Sequence, residues 1–102
     1  MHPLVVAHAA EIGELCRRHG VARLDLFGSA ARGDFNAASS DFDFLVAFRP
    51  EARPRAFDNY FGLKEGLATV LGRSIDLLTA ASLRNPYLSR EIEANRQVVY
   101  GA

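Results

Sequence analysis

This sequence of 102 residues has a single cysteine, no excess of charge of one sign and no long apolar stretch. A single cysteine, Cys16, excludes an internal disulfide and is typical of a reducing cytoplasm. Twelve basic and twelve acidic residues give a formal net charge of zero, so the charge balance does not indicate a nucleic-acid partner. A net charge near zero also gives little protection against self-association, which leaves homo- and hetero-oligomers open.

The sequence also has no sign of a membrane or secretory segment. No apolar run approaches the roughly 20 residues that span a bilayer, and the first six residues lack the basic start and long apolar stretch of a signal peptide. We therefore expect a cytoplasmic protein without a membrane partner. The length predicts a single domain over residues 1–102, and a hydrophobic fraction of 49% is ordinary for a soluble globular protein.

Hydrophobic periodicity alternates between helical and strand-like segments along the chain. This order predicts a small mixed α/β (α+β) domain, in which helices flank a mixed β-sheet of three to four strands. Within the helix that begins at Phe57, we expect Phe57, Tyr60 and Phe61 to lie in the core, with a partner surface as the alternative. The predicted helices cover residues 3–19, 57–71 and 87–94, and the predicted strands cover 21–27, 41–48, 74–78 and 97–100. A turn with a short helix is predicted over 28–33, and a connector over 49–54.

Three carboxylates lie on or beside the predicted strands. Asp41 and Asp43 are two residues apart, and positions i and i+2 of a strand point to the same face. Asp76 lies in another apolar strand, which could place it beside them. Oxygen ligands of this kind bind Mg²⁺ and share it with nucleotide phosphates, and three carboxylates around one or two metal ions serve phosphoryl and nucleotidyl transfer. The third carboxylate can bind a metal or accept the proton of the attacking hydroxyl.

A glycine turn precedes these carboxylates. Gly28 allows a tight turn and a close approach of backbone N–H groups to phosphate oxygens. The Ser29 hydroxyl can donate a further hydrogen bond, the following short helix would direct its positive end at the phosphates, and Arg32 can add a charge-assisted contact. Ser40, directly before Asp41, is assigned to the same nucleotide-binding set.

The remaining polar residues are given structural roles. Cys16 is predicted to be a small core residue, because no partner base is evident near it. The three histidines have no metal-ligand spacing and are expected at the surface or at helix edges. Asp25 could approach the site, although a hydrogen-bonded role in its strand is favoured. Arg49 and the arginines that follow it are expected to be a solvated connector, with a contact to triphosphate or to an acidic partner as the alternative.

Taken together, the Gly28-Ser29 pair, the Asp41-Phe42-Asp43 segment and Asp76 resemble the minimal nucleotidyltransferases of the DNA polymerase β-like superfamily, which share a Gly-Ser, Asp-x-Asp and Asp signature. The resemblance covers nearly the whole chain. It implies the small nucleotidyltransferase fold, with the three carboxylates as catalytic Mg²⁺ ligands for one or two ions. It also implies that Gly28, Ser29 and Arg32 hold a nucleoside triphosphate, expected to be ATP.

The resemblance also implies a biological role. Family members of this size act as antitoxins of helical HEPN-domain toxins, in some cases by transferring AMP onto a toxin tyrosine. The short chain has almost nothing left to build an acceptor site, which favours a protein that docks from outside. Two alternatives stay open: an antitoxin that acts by binding alone, and nucleotidyl transfer to a small molecule such as an aminoglycoside.

Overall fold

The computed structural model describes residues 1–33 and 41–101. In this part of the chain, four strands form one mixed sheet in the order β3-β2-β1-β4. The central strands β1 and β2 are antiparallel, β4 pairs antiparallel with the other side of β1, and β3 runs parallel to β2. The strands are β1 (Val21–Phe27), β2 (Phe42–Phe48), β3 (Ile75–Leu78) and β4 (Gln97–Tyr100).

Helices connect and cover these strands, which confirms the predicted mixed α/β class with a four-stranded sheet. The described helices are α1 (Pro3–Ala7), α2 (Ala9–Arg18), α3 (Ser29–Arg32), α4 (Ala56–Leu71) and α5 (Pro86–Asn95), with two 3₁₀ helices over Pro50–Arg55 and Ala80–Arg84. None of the helices in the described ranges is long and apolar enough to cross a membrane.

Several sequence-based boundaries differ from the structure by one residue, and two differences affect the first helix and the site. The single helix predicted over residues 3–19 is interrupted at His8, whose φ of −107° and ψ of 21° separate α1 from α2. The first segment contains two consecutive valines, which lose side-chain freedom in a helix. The predicted second strand also begins one residue later than expected, so Asp41 lies directly before β2 and not within it.

The two faces of the sheet bury different sets of side chains. The main core lies between one face of the sheet and α1, α2 and α4, and it includes Phe42, Phe44 and Val46 from β2. On the opposite face, Phe27 and Leu45 form a smaller cluster with the buried Ile92 of α5. Because side chains alternate along a strand, Asp43 and Leu45 share this second face. The sheet therefore presents its acidic residues beside α5, away from the main core.

The predicted aromatic core stripe of α4 is correct for only one of its three residues. Tyr60 packs against the main core, and its hydroxyl donates to the Leu77 carbonyl of β3 at 2.5 Å. Phe57 and Phe61 contact each other but are 75% and 43% exposed. Within residues 1–33 and 41–101, β3 is an edge strand with no strand paired on its outer side. The core prediction is therefore wrong for Phe57 and Phe61, and the alternative, a surface for a partner, stays a prediction.

Candidate active site

The three sequence motifs meet at one end of the sheet. Since β1 runs antiparallel to β2 and β3 runs parallel to β2, the end of β1 lies beside the beginnings of β2 and β3. At this end of the sheet, Phe27 of β1 pairs with Asp43 of β2, and Asp43 pairs with Asp76 of β3. The structure thus places Asp76 next to Asp43 on the neighbouring strand. Gly28 follows directly after Phe27, which brings the glycine turn to the same edge.

The carboxylates differ in their contact with solvent. Asp76 and Asp41 are exposed, whereas Asp43 is partly buried between β1 and β3. A charged residue in the apolar strand β3 would be costly if it were buried. The position of Asp76 at the start of an edge strand removes that cost, because its side chain reaches water. The outer side of the site is therefore open to an incoming group.

Asp43 lies in an excess of negative charge. Burial raises the pKa of Asp43 to about 6, and the nearby carboxylates of Asp76, Asp41 and Glu91 act in the same direction, while Arg32 opposes them. Like charges at close range disfavour ionisation, and a nearby cation restores it. The electrostatics of this edge therefore favour the arrival of positive charge.

The carboxylates at this edge suit the predicted metal in chemical type. Oxygens of Asp43 and Asp76 on adjacent strands, with Asp41 nearby, have the chemistry that Mg²⁺ requires. Across residues 1–33 and 41–101, however, no three acidic, histidine or cysteine side chains converge closely enough to enclose an ion as they stand. The metal itself therefore stays a prediction.

The glycine turn is built around the Asp43 carboxylate. Gly28 has a φ of 73°, which L side chains rarely adopt, and a Cβ at this position would overlap the Asp43 carboxylate oxygen Oδ2. The Gly28 carbonyl accepts hydrogen bonds from the backbone N–H groups of Ala31 and Arg32 at 3.1 and 3.0 Å. These bonds start α3 and place Ser29, its first residue, at the same edge as Asp43.

Arg32 ends α3 and contacts a residue that sequence reasoning missed. Its Nη1 donates to Oε1 of Glu91 on α5 at 2.6 Å. Glu91 directly precedes the buried Ile92 and follows Leu88 by three residues, and both of these apolar side chains belong to the second cluster. Residues three apart on a helix share a face, so the spacing from Leu88 was the available signal for Glu91.

The structure also describes two of the three remaining candidate residues. Ser40 lies outside the described residues. Asp25 is fully buried and hydrogen-bonded, accepting from Arg23 Nε at 3.0 Å and Arg96 Nε at 2.7 Å, as the favoured interpretation expected. Arg49 follows the far end of β2, about 20 Å from Asp43 at the usual rise per strand residue. This separation does not favour the alternative contact between Arg49 and triphosphate, which stays a prediction.

Two cavities of about 310 Å³ lie away from the carboxylates. One is at the opposite end of the sheet, where Arg17, Arg49 and Tyr100 line it. The other lies between the N-terminus and α3, beside His2 and Ala30. Neither of these two cavities is lined by Asp43 or Asp76.

Comparison with known proteins places this geometry in a family. Residues 12–99 match the family model described as a nucleotidyltransferase domain. A Methanocaldococcus jannaschii protein, provisionally named as a protein adenylyltransferase, is 38% identical over 92 residues, covering 82% of this chain and 90% of the relative. The protein adenylyltransferase MntA of Thermococcus cleftensis is 34% identical over 97 residues, covering 95% of this chain and 88% of the relative.

Solved structures agree with the fold. One, provisionally described as a minimal nucleotidyltransferase, superposes with a TM-score of 0.75 at 32% identity and covers 95% of both chains. A second, of a tri-AMPylated Shewanella oneidensis HEPN toxin in complex with an MNT antitoxin, has a TM-score of 0.61 at 19% identity and covers 96% of this chain and 73% of that chain, a likeness of fold alone.

These matches define the class of the protein as an enzyme of nucleotidyl transfer. The chain belongs to the nucleotidyltransferase domain family, among its minimal, MntA-like members. The predicted family and the predicted enzyme class are therefore confirmed.

Proposed function

We propose that this protein transfers AMP from ATP to a hydroxyl of a partner protein, and that the partner is the HEPN-domain toxin of a toxin–antitoxin pair. The observation that carries the proposal is the in-register pair of Asp43 and Asp76 beside the Gly28 turn. The relatives named as protein adenylyltransferases support transfer to protein, and the shared fold with an MNT antitoxin supports the choice of partner. We also propose that it acts in the cytoplasm, in line with its single cysteine.

Each residue of the edge has a defined part in this reaction. Asp41, Asp43 and Asp76 would hold Mg²⁺, which neutralises triphosphate charge and orients the leaving pyrophosphate when it is bound. Gly28 presents its backbone closely to phosphate, and the Ser29 hydroxyl and the Arg32 guanidinium donate to phosphate oxygens.

The chemical step exchanges one phosphorus–oxygen bond for another. The acceptor oxygen forms a bond to the α-phosphorus, and the bond from that phosphorus to pyrophosphate breaks. The hydroxyl proton passes to a carboxylate at the open side, for which exposed Asp76 on the edge strand is the best placed. The open edge also suits an acceptor that is carried by a separate protein.

Label transfer tests the proposal directly. The protein is incubated with Mg²⁺, its neighbouring gene product and ATP labelled at the α-phosphate or, separately, at the γ-phosphate. We expect label on the partner from the α-position only, and loss of label with Asp43→Asn. Asp58→Asn is the matched control, because Asp58 is an exposed carboxylate in the first turn of α4. Stable complex formation without label would instead support an antitoxin that acts by binding alone.

A further inference from the structure

Glu91 makes a contact that the proposed reaction does not require. Its carboxylate accepts from Arg32 Nη1 at 2.6 Å, across 59 residues of sequence, and the two side chains are 47% and 37% exposed. Ion pairs this exposed contribute little to folding stability. The contact is therefore better explained by what it does at the active-site edge than by support of the fold.

The backbone positions of both partners are fixed by their surroundings. Arg32 ends the short helix that begins at the Gly28 turn, and its N–H donates to the Gly28 carbonyl. Glu91 is held on α5 by its neighbour Ile92, which is fully buried against Phe27 and Leu45. The backbone of Glu91 therefore keeps its place on α5 beside the turn, and its carboxylate contacts Arg32 in the nucleotide-free protein.

Both charges act on the same catalytic carboxylate. Gly28 lies against the Asp43 carboxylate, the Arg32 N–H donates to the Gly28 carbonyl at 3.0 Å, and Arg32 Nη1 holds the Glu91 carboxylate, so both charges lie at the edge that carries Asp43. A phosphate oxygen that takes the Nη1 donor of Arg32 must displace the Glu91 carboxylate from it. It would then leave Glu91 as an unpaired negative charge beside other negative charges, and like charges at this range oppose binding.

We propose that Glu91 competes with the triphosphate for Arg32 and so weakens nucleotide binding at this site. This inference rests on the proposed function. Before nucleotide binds, Glu91 occupies the guanidinium, and after transfer it re-forms the pair and favours release of pyrophosphate. Glu91 thus acts through Arg32 and is a positioning residue that sets affinity, not a catalytic residue.

The test is a binding measurement on the intact protein. The dissociation constant of a non-hydrolysable ATP analogue is measured calorimetrically with Mg²⁺ for wild type, Glu91→Gln and Glu93→Gln. Glu93 is the matched control, because it lies on the same helix and pairs with Arg96 instead. We expect Glu91→Gln to bind about 2–5-fold more tightly, the effect of losing one partly exposed charge pair, and Glu93→Gln to match wild type.

A second background separates the mechanism from simple repulsion. In an Arg32→Ala protein, Glu91→Gln should raise affinity less than it does in the wild-type background if Glu91 acts by competing for the guanidinium. An equal gain in both backgrounds overturns the competition, as does weaker or unchanged binding by Glu91→Gln in the otherwise wild-type protein. Failure of every variant to bind nucleotide overturns the proposed function along with this inference, whereas normal wild-type binding with no effect of Glu91→Gln overturns the inference alone.

Discussion

Asp43 and Asp76 occupy paired positions on the parallel strands β2 and β3. Neighbouring strands lie about 4.8 Å apart, so two carboxylates at paired positions repel each other when both are ionised. Burial and the surrounding carboxylates, Asp76 first among them, raise the pKa of Asp43 to about 6. The charges needed for catalysis thus oppose folding of the metal-free protein, as is common where stability and activity conflict.

The first prediction is that Asp43→Asn stabilises the metal-free protein above neutral pH while it abolishes transfer. The pKa of Asp43 rises from 3.8 to about 6 on folding, so its contribution favours the folded state at low pH and is lost as the pH rises through 6. We expect the free energy of unfolding of Asp43→Asn to exceed that of wild type by about 1–2 kcal/mol at pH 7.5. This is less than the roughly 3 kcal/mol that corresponds to the whole pKa difference, because solvent screens the carboxylate.

Urea denaturation in chelator checks this result at pH 7.5 and at pH 3.5. At the lower pH the aspartic acid is largely protonated, and the difference in unfolding free energy between wild type and Asp43→Asn should shrink toward zero. The exposed control Asp58→Asn should show no such pH-dependent gain. An Asp43→Asn protein that is less stable than wild type at pH 7.5 would contradict the prediction, because it would show that the folded state stabilises the ionised Asp43 carboxylate.

The second prediction concerns two glycines with positive φ. Gly28→Ala introduces backbone strain and a methyl group that overlaps the Asp43 carboxylate, whereas a methyl group at Gly33, whose φ is 90°, would have no described atom within 4 Å. Gly33→Ala should cost about 1 kcal/mol of stability from strain alone. Gly28→Ala should cost more and lower transfer at least tenfold, because Asp43 must move. Thermal unfolding measures the stability of both variants, and label transfer measures their activity. Equal losses of activity in Gly28→Ala and Gly33→Ala would contradict the predicted overlap with Asp43.

Local sequence patterns predicted the strands well, because each carries its own alternation or apolar run. Strand β1 and the last strand, β4, have the predicted limits. The placement of Asp76 beside Asp43 was also predicted, since it follows once the two strands are neighbours. The exposure of Phe57 and Phe61 was not, because helical spacing shows a shared face but does not show whether another element covers that face.

Glu91 shows what local patterns cannot provide. Its partner Arg32 is 59 residues away, and the contact exists only because α5 crosses the second face of the sheet. An exposed glutamate on a helix has no distinguishing sequence signal beyond its spacing from Leu88. The charges that surround the site therefore depend on the tertiary arrangement and could not be predicted from the sequence. The three carboxylates themselves could be, because they lie in local sequence motifs.

The third prediction is that Cys16 is unreactive in the folded protein. Its side chain is fully buried in the main core, and burial raises the pKa of the thiol to about 12. Because the thiolate is the reactive form, iodoacetamide at pH 8 should label native protein at least a hundredfold more slowly than protein in 6 M guanidinium, by mass spectrometry. Comparable rates in the two conditions would contradict the buried position.

The fourth prediction is that Asp25 holds the end of the chain to the sheet. Asp25 is fully buried on β1, and it accepts hydrogen bonds from Arg23 on the same strand and from Arg96, which links α5 to β4. Asp25→Ala leaves both guanidinium groups without this carboxylate. We expect a loss of about 2–4 kcal/mol in the free energy of unfolding, as when one member of a buried ion pair is removed.

Glu93→Gln is the matched control for Asp25→Ala, because Glu93 bonds the same Arg96 from an exposed position. Its cost should stay below about 0.5 kcal/mol, since an exposed pair is screened by water. Urea denaturation of both variants measures the difference. Similar costs for the two substitutions would mean that Arg96 is stabilised by its solvent-exposed contacts, and that burial of Asp25 does not determine how β4 is held against β1.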